Sequence, residues 1–124
     1  MTPKGLQTFA EFWPYYLAEH RLPSCRALHY VGTTAATLGL IGLLASGAFQ
    51  WLWLLLIVGY GPAWIGHFVI EKNRPATFTY PRWSLLADYK MFGLFLSGGL
   101  QAEMDRHKHI IFSPQPEAQR SSRA

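Results

Sequence analysis

Between Ala27 and Ile70 the chain carries no Asp, Glu, Lys or Arg. This stretch divides into two apolar segments. Residues 28–46 are rich in small side chains (Gly32, Ala35, Ala36, Gly39, Gly42, Ser46). Their length is close to the roughly 20 residues that a membrane-crossing helix needs, and small residues let helices approach closely. Residues 46–50 read as a turn, with Trp51 and Trp53 at the interface beyond it. Residues 51–70 form a second crossing, interrupted by Gly59-Tyr60-Gly61-Pro62, which should kink the helix. Upstream, Thr8-Phe9-Ala10-Glu11 has the spacing of a capping box. Phe9, Phe12, Trp13, Tyr16, Leu17 and His20 then share one helical stripe. Pro14 either kinks this helix or opens a later one. The segment is too short to span and polar on one side, so an interfacial helix is expected.

Downstream, Pro81-Arg82-Trp83-Ser84 opens a helix with Leu85, Tyr89, Phe92 and Leu96 on one stripe. Asp88 and Lys90 argue against a lipid-exposed crossing, so a partly embedded helix reaching about Asp105 is expected. Residues 113–124 are rich in Pro, Ser and Arg without periodicity, the pattern of a disordered tail. The expected fold is all-α: a small polytopic membrane helix bundle of about four helices, two of them crossings. It would be one domain over residues 1–112, followed by the tail at 113–124.

Composition sharpens this picture. Half the residues are hydrophobic and 15% are charged, against roughly 25% in soluble domains. Five Trp suit a membrane interface. The N-terminal residues lack the apolar core and cleavage site of a signal peptide, so insertion would rely on the internal segments. The single Cys25 excludes an internal disulfide and reads as a packing residue. The net charge of +4 comes mostly from residues beside the apolar runs, which suggests contact with membrane lipid. No nucleic-acid recognition motif accompanies it. Arg21 and Arg26 flank the first crossing, and Lys72 and Arg74 the second. By the positive-inside rule both termini are cytoplasmic. His20, His29, His67 and Glu71 then fall at one membrane surface.

The candidate chemistry gathers there. If the second helix continues through residues 66–71, His67 and Glu71 stand at i and i+4 on one face, and an imidazole and a carboxylate so placed can bind a divalent metal. His20 and His29 could join them. Glu71 has three open roles: ligand, acceptor holding an imidazole, or partner of Arg74, Arg21 or Arg26. His107 and His109 adjoin charged residues and read as a solvated face. No phosphate-binding loop or nucleophile elbow is present. Three readings remain open on the residues alone. They are a metal-dependent enzyme, a metal-free membrane interaction or lipid-binding protein, and a small haem-carrying bundle with two axial histidines.

Three motifs carry a resemblance: Tyr16-Leu17-Ala18-Glu19-His20, Leu28-His29-Tyr30-Val31-Gly32-Thr33, and Gly66-His67-Phe68-Val69-Ile70-Glu71-Lys72-Asn73-Arg74-Pro75-Ala76. With Tyr80-Pro81-Arg82-Trp83-Ser84 and Asp88, they make the chain resemble the iron-dependent 2-hydroxy fatty acid dioxygenases of fatty acid α-oxidation. It is most similar to the short bacterial members, since it lacks the insertion that fungal members carry between the second and third motifs. The resemblance implies an integral membrane enzyme with an Fe(2+) site at His20, His29 and His67. It also implies that O2 and a 2-hydroxy fatty acid are the substrates. Glu71 and Arg74 are the candidate catalytic groups, and Lys72 and Arg74 are placed to hold the substrate carboxylate.

Overall fold

A computed structural model describes residues 6–112. The tail expected at 113–124 lies outside the described residues. All regular structure among those described is helical. The first helix, α1 (Phe9–Ala18), begins as its sequence dictates. Thr8 accepts from the Glu11 backbone N–H at 3.2 Å, and the Glu11 carboxylate reaches back to the Gln7 N–H at 2.8 Å. Pro14 lies inside α1.

Next, α2 (Pro23–Ser46) starts with proline in its first turn, where the missing N–H costs nothing, and stops at Gly47 in the left-handed conformation. After a 3₁₀ turn at Phe49–Trp51, α3 (Leu54–Ile65) runs back antiparallel to α2. Small residues decide how closely the two helices pack. A Cβ on Gly32 would lie 2.5 Å from the Gly59 carbonyl oxygen, and one on Gly66 would lie 2.9 Å from Cys25 Sγ. Gly59 meets Ala36 and Gly39 meets Leu55 along the same seam. Cys25 is therefore a packing residue, fully buried against Gly66.

The segment after α3 departs from expectation. Gly66–Glu71 is a π-helix, not a continuation of the α-helix. Its hydrogen bonds span five residues in place of four. His67 and Glu71 both lie in this π-turn, and both are buried. The π-turn ends at Lys72, whose φ of 62° places it in the left-handed region. Such a conformation costs a non-glycine residue about 1–2 kcal/mol.

After a 3₁₀ turn at Ala76–Phe78 come α4 (Pro81–Ser97), α5 (Leu100–Arg106) and α6 (Lys108–Ile111). The single helix expected to reach Asp105 is broken at Gly98, which takes a φ of 83° while Gly99 N–H bonds back to the Leu94 carbonyl at 2.8 Å. That is the glycine C-cap that Gly98-Gly99 encodes. The inward face of α4 also differs from the expected stripe. Small or flexible Ser84, Ala87 and Met91 are buried, while Leu85, Tyr89 and Leu96 point outward.

The molecule thus has two regions. Phe12, Trp13, Tyr16 and Leu17 of α1 pack with Ala87 and Met91 of α4, Leu100 and Met104 of α5, and Ile111 of α6. The apolar face of α1 is consequently inside this core, not spread on an interface. The α2–α3 hairpin projects large apolar side chains outward, among them Leu38, Ile41, Leu44, Leu56 and Ile57. Two helical stretches, Pro23–Ser46 and Phe49–Glu71, are long and apolar enough to cross a membrane. Only 11% and 17% of their most apolar windows are buried within the chain. Arg26 joins the two regions by donating to the carbonyls of His20 and Arg21, both at 2.8 Å.

Candidate metal centre

Three histidines meet where the core abuts the hairpin. His20 follows the last turn of α1, His29 lies in the second turn of α2, and His67 opens the π-turn. All three are buried, and one ring nitrogen from each lies within 4.8 Å of the others. Their ring centroids are 4.4, 4.5 and 4.9 Å apart, and each pair is nearly perpendicular.

The hydrogen bonds fix which nitrogen of each ring is free. His20 Nδ1 faces the Tyr16 carbonyl at 2.6 Å, and His29 Nδ1 faces the Cys25 carbonyl at 2.9 Å. Both are the same local device, a ring turned back to the carbonyl four residues earlier. His67 Nδ1 faces Asn73 Oδ1 at 2.8 Å. The orientation of that amide is set on its other side, where Asn73 Nδ2 donates to the Glu19 carbonyl at 3.1 Å. A carbonyl oxygen can only accept, so each Nδ1 carries the proton and each Nε2 keeps its lone pair.

One consequence is an unresolved contact: His20 Nε2 and His29 Nε2 stand 3.0 Å apart with no proton between them. Burial, then the neighbouring imidazoles of His29 and His67, hold His20 well below the usual imidazole range, so the fold favours its neutral form. Two lone pairs at that distance repel unless a cation lies between them. Neutral imidazoles with Nδ1–H tied to carbonyl oxygens form the donor set of a divalent transition metal. The residues fit the group.

Residues 6–100 match the model of the family described as 2-hydroxy-palmitic acid dioxygenase Mpo1-like. The chain belongs to the Mpo1-like family. The matched span takes in all three histidines and ends where α5 begins. No curated protein and no solved structure matches the chain.

Other residues singled out in the sequence of this Mpo1-like protein take different places. Glu71 is buried but is not among the clustered ligand atoms; its Oε2 accepts from the Leu22 N–H at 2.6 Å, where α2 begins. Lys72 and Arg74 are exposed on either side of buried Asn73, and the Arg74 guanidinium lies 5.4 Å from the centre of the Phe78 ring. His109 is exposed and His107 half-buried, and neither belongs to the histidine group.

Two features were missed. Asn73 reads in the sequence as a loop residue, and only its sandwich between two exposed cations hints that it points inward. Tyr16 lies stacked on His20 with ring centroids 4.0 Å apart, and its hydroxyl donates to Asp88 Oδ1. Burial pushes the Asp88 carboxyl up to about 7, and burial likewise raises Tyr16 well above its ordinary value. Beside the three rings is a cavity of about 10 Å³, bordered also by Tyr60, Trp64, Ser84 and Asp88. It has room for roughly one water.

Proposed function

We propose that this Mpo1-like protein is an Fe(II)-dependent dioxygenase that shortens a 2-hydroxy fatty acid by one carbon. The carrying observation is the 3.0 Å approach of His20 Nε2 and His29 Nε2 with both Nδ1 protons already committed to carbonyls. His20, His29 and His67 would hold the iron through Nε2. Bound Fe(II) supplies the one-electron chemistry that lets O2 react with an organic acid.

The protein's own residues prepare that site. The Tyr16 and Cys25 carbonyls and the Asn73 amide fix the rings before any ligand arrives, so little ordering remains to be done on binding. The bond from Leu22 supports a role for Glu71 in anchoring the α1–α2 connector against the π-turn, with its charge close to the start of α2. Exposed Lys72 and Arg74 are available to a carboxylate at the same end of the hairpin. Phe78, beneath Arg74, adjoins Trp64 and Phe68, and this supports an apolar path for the acyl chain toward the cavity that Trp64 lines.

The outward apolar surface of the hairpin supports an integral membrane protein. The antiparallel α2–α3 pairing brings Arg21, Arg26, Lys72 and Arg74 to one end, in keeping with a cytoplasmic site and cytoplasmic termini. A haem-carrying bundle finds no support, because His20 Nε2 and His29 Nε2 stand 3.0 Å apart, too close to hold a porphyrin iron between them as axial ligands.

The test is turnover by detergent-purified, iron-loaded protein given 2-hydroxyhexadecanoic acid. The reading expects an acid one carbon shorter, with one O2 consumed for each molecule formed. Release of carbon dioxide and water then balances the atoms. Iron-loaded protein that consumes no O2 above a substrate-free control would refute it.

A further inference from the structure

Ser84 poses a question that the metal site does not answer. It sits in the first turn of α4, 3% exposed, and borders the cavity that the three histidines share. Its backbone N–H is satisfied by the Tyr80 carbonyl at 2.8 Å, yet its hydroxyl has no hydrogen-bond partner among the described residues. A buried hydroxyl without a partner is costly. Alanine at this position would avoid that cost and fill the helix at least as well. One turn further along the same face is Asp88, which borders the same cavity. Its Oδ1 takes the Tyr16 hydroxyl, leaving Oδ2 for a second donor.

The cavity that both border has room for roughly one water-sized group. Ser84 and Asp88 are two of its polar walls, beside Tyr16, Thr77 and the histidines, and they are complementary in kind. Asp88 accepts, while Ser84 can both donate and accept. An alcohol oxygen satisfies such a pair, giving its proton to Asp88 and taking one from Ser84. A carboxylate oxygen has no proton to give to Asp88, and an unsubstituted methylene offers neither a donor nor an acceptor. We infer that Ser84 and Asp88 form the subsite for the substrate's 2-hydroxyl, so that they select 2-hydroxy acids over unsubstituted fatty acids. This rests on the dioxygenase reading and names what recognises its substrate.

A site built to bond a hydroxyl discriminates strongly against the analogue that lacks it, because its polar groups are then left unpaired. The experiment is equilibrium binding of 2-hydroxyhexadecanoic and hexadecanoic acids to iron-loaded protein without O2, with metal content measured on the same samples. The wild type should prefer the hydroxy acid by at least about tenfold. Ser84→Ala should keep its iron, with a melting temperature at or above that of the wild type, while the preference falls to about threefold or less, through weaker binding of the hydroxy acid alone. Ser84→Cys, of similar shape and a weak donor, serves in place of an alanine variant that fails to accumulate.

A Ser84→Ala protein that keeps the full preference, or loses affinity for both acids equally, overturns the inference and leaves the dioxygenase reading standing. A wild type with no preference for the hydroxy acid overturns both.

Discussion

The side-chain oxygen of Asn73 accepts from His67 Nδ1 at 2.8 Å, and the Asn73 backbone N–H bonds back to the His67 carbonyl at 2.9 Å. Two bonds between the same pair of residues clamp the imidazole at both ends of its own residue. The left-handed turn at Lys72 makes this possible by folding the chain back over the π-turn. Asn73→Ala should leave the His67 ring free to reorient and cost about 10–100-fold in metal affinity. Competition against a chelator measures this. Unchanged affinity would show that the clamp is dispensable.

Glu71 offers a contrast. Its bond to the Leu22 N–H ties the π-turn to the start of α2. Glu71→Ala should therefore lower stability by about 1.5–3 kcal/mol, as loss of a hydrogen bond to a buried charged group does. The iron content of the folded fraction should stay at the wild-type level. A stable variant that has lost its metal would make Glu71 a ligand.

The close approach of α2 and α3 sets the spacing of His29 and His67. A methyl group at residue 32 would meet the Gly59 carbonyl oxygen, a backbone atom that cannot rotate away. Gly32→Ala should destabilise the detergent-solubilised protein by about 1–3 kcal/mol. Gly42→Ala, with open space around the new methyl group, should be neutral or slightly stabilising. Equal melting temperatures for the two variants would contradict this packing.

Asp88 gives the fold a pH dependence with a definite sign. Burial raises its carboxyl from the ordinary 3.8 to about 7, opposed only in part by the Tyr16 hydroxyl. A raised folded-state value means that the neutral carboxyl is favoured in the fold. Its contribution is complete below about pH 4 and is lost as the pH rises through 7. Buried His20, held below the usual imidazole range, acts in the opposite direction, so the comparison must be with Asp88→Asn, which keeps an acceptor for Tyr16. Relative to wild type, this variant should gain stability as the pH is raised from 5 to 8. A constant difference across that range would show that Asp88 is ionised throughout.

Much of this arrangement is visible in the sequence, for physical reasons that differ from residue to residue. The absence of charge between Ala27 and Ile70 and the turn residues at its middle announce an antiparallel hairpin. A hairpin necessarily brings residues 20–29 and 67 to one end. The capping box at Thr8 likewise acts within a few residues and is read directly. Features set by tertiary contact are not so legible. Nothing in the apolar periodicity of residues 51–70 signals that a π-turn replaces the last α-helical turn, or that the Glu71 carboxylate turns to the Leu22 N–H. The stripe of α1 reads equally well as facing lipid or protein, and only α4–α6 decide that it is buried. The break at Gly98-Gly99, by contrast, is written in the sequence, since paired glycines after an apolar run are a helix stop. The protonated nitrogen of each imidazole depends on carbonyls that only the folded backbone supplies.

The central claim is that His20, His29 and His67 hold one metal ion between them. Metal content per chain, measured on purified protein loaded with Fe(II) under argon, tests it most directly. The wild type should carry about one ion per chain. Because structural and catalytic metals owe their affinity to the full donor set, each of His20→Ala, His29→Ala and His67→Ala should carry almost none while remaining a folded membrane protein. His107→Ala and His109→Ala, outside the group, should match the wild type. Full metal content in all three variants of the buried histidines would contradict the shared site.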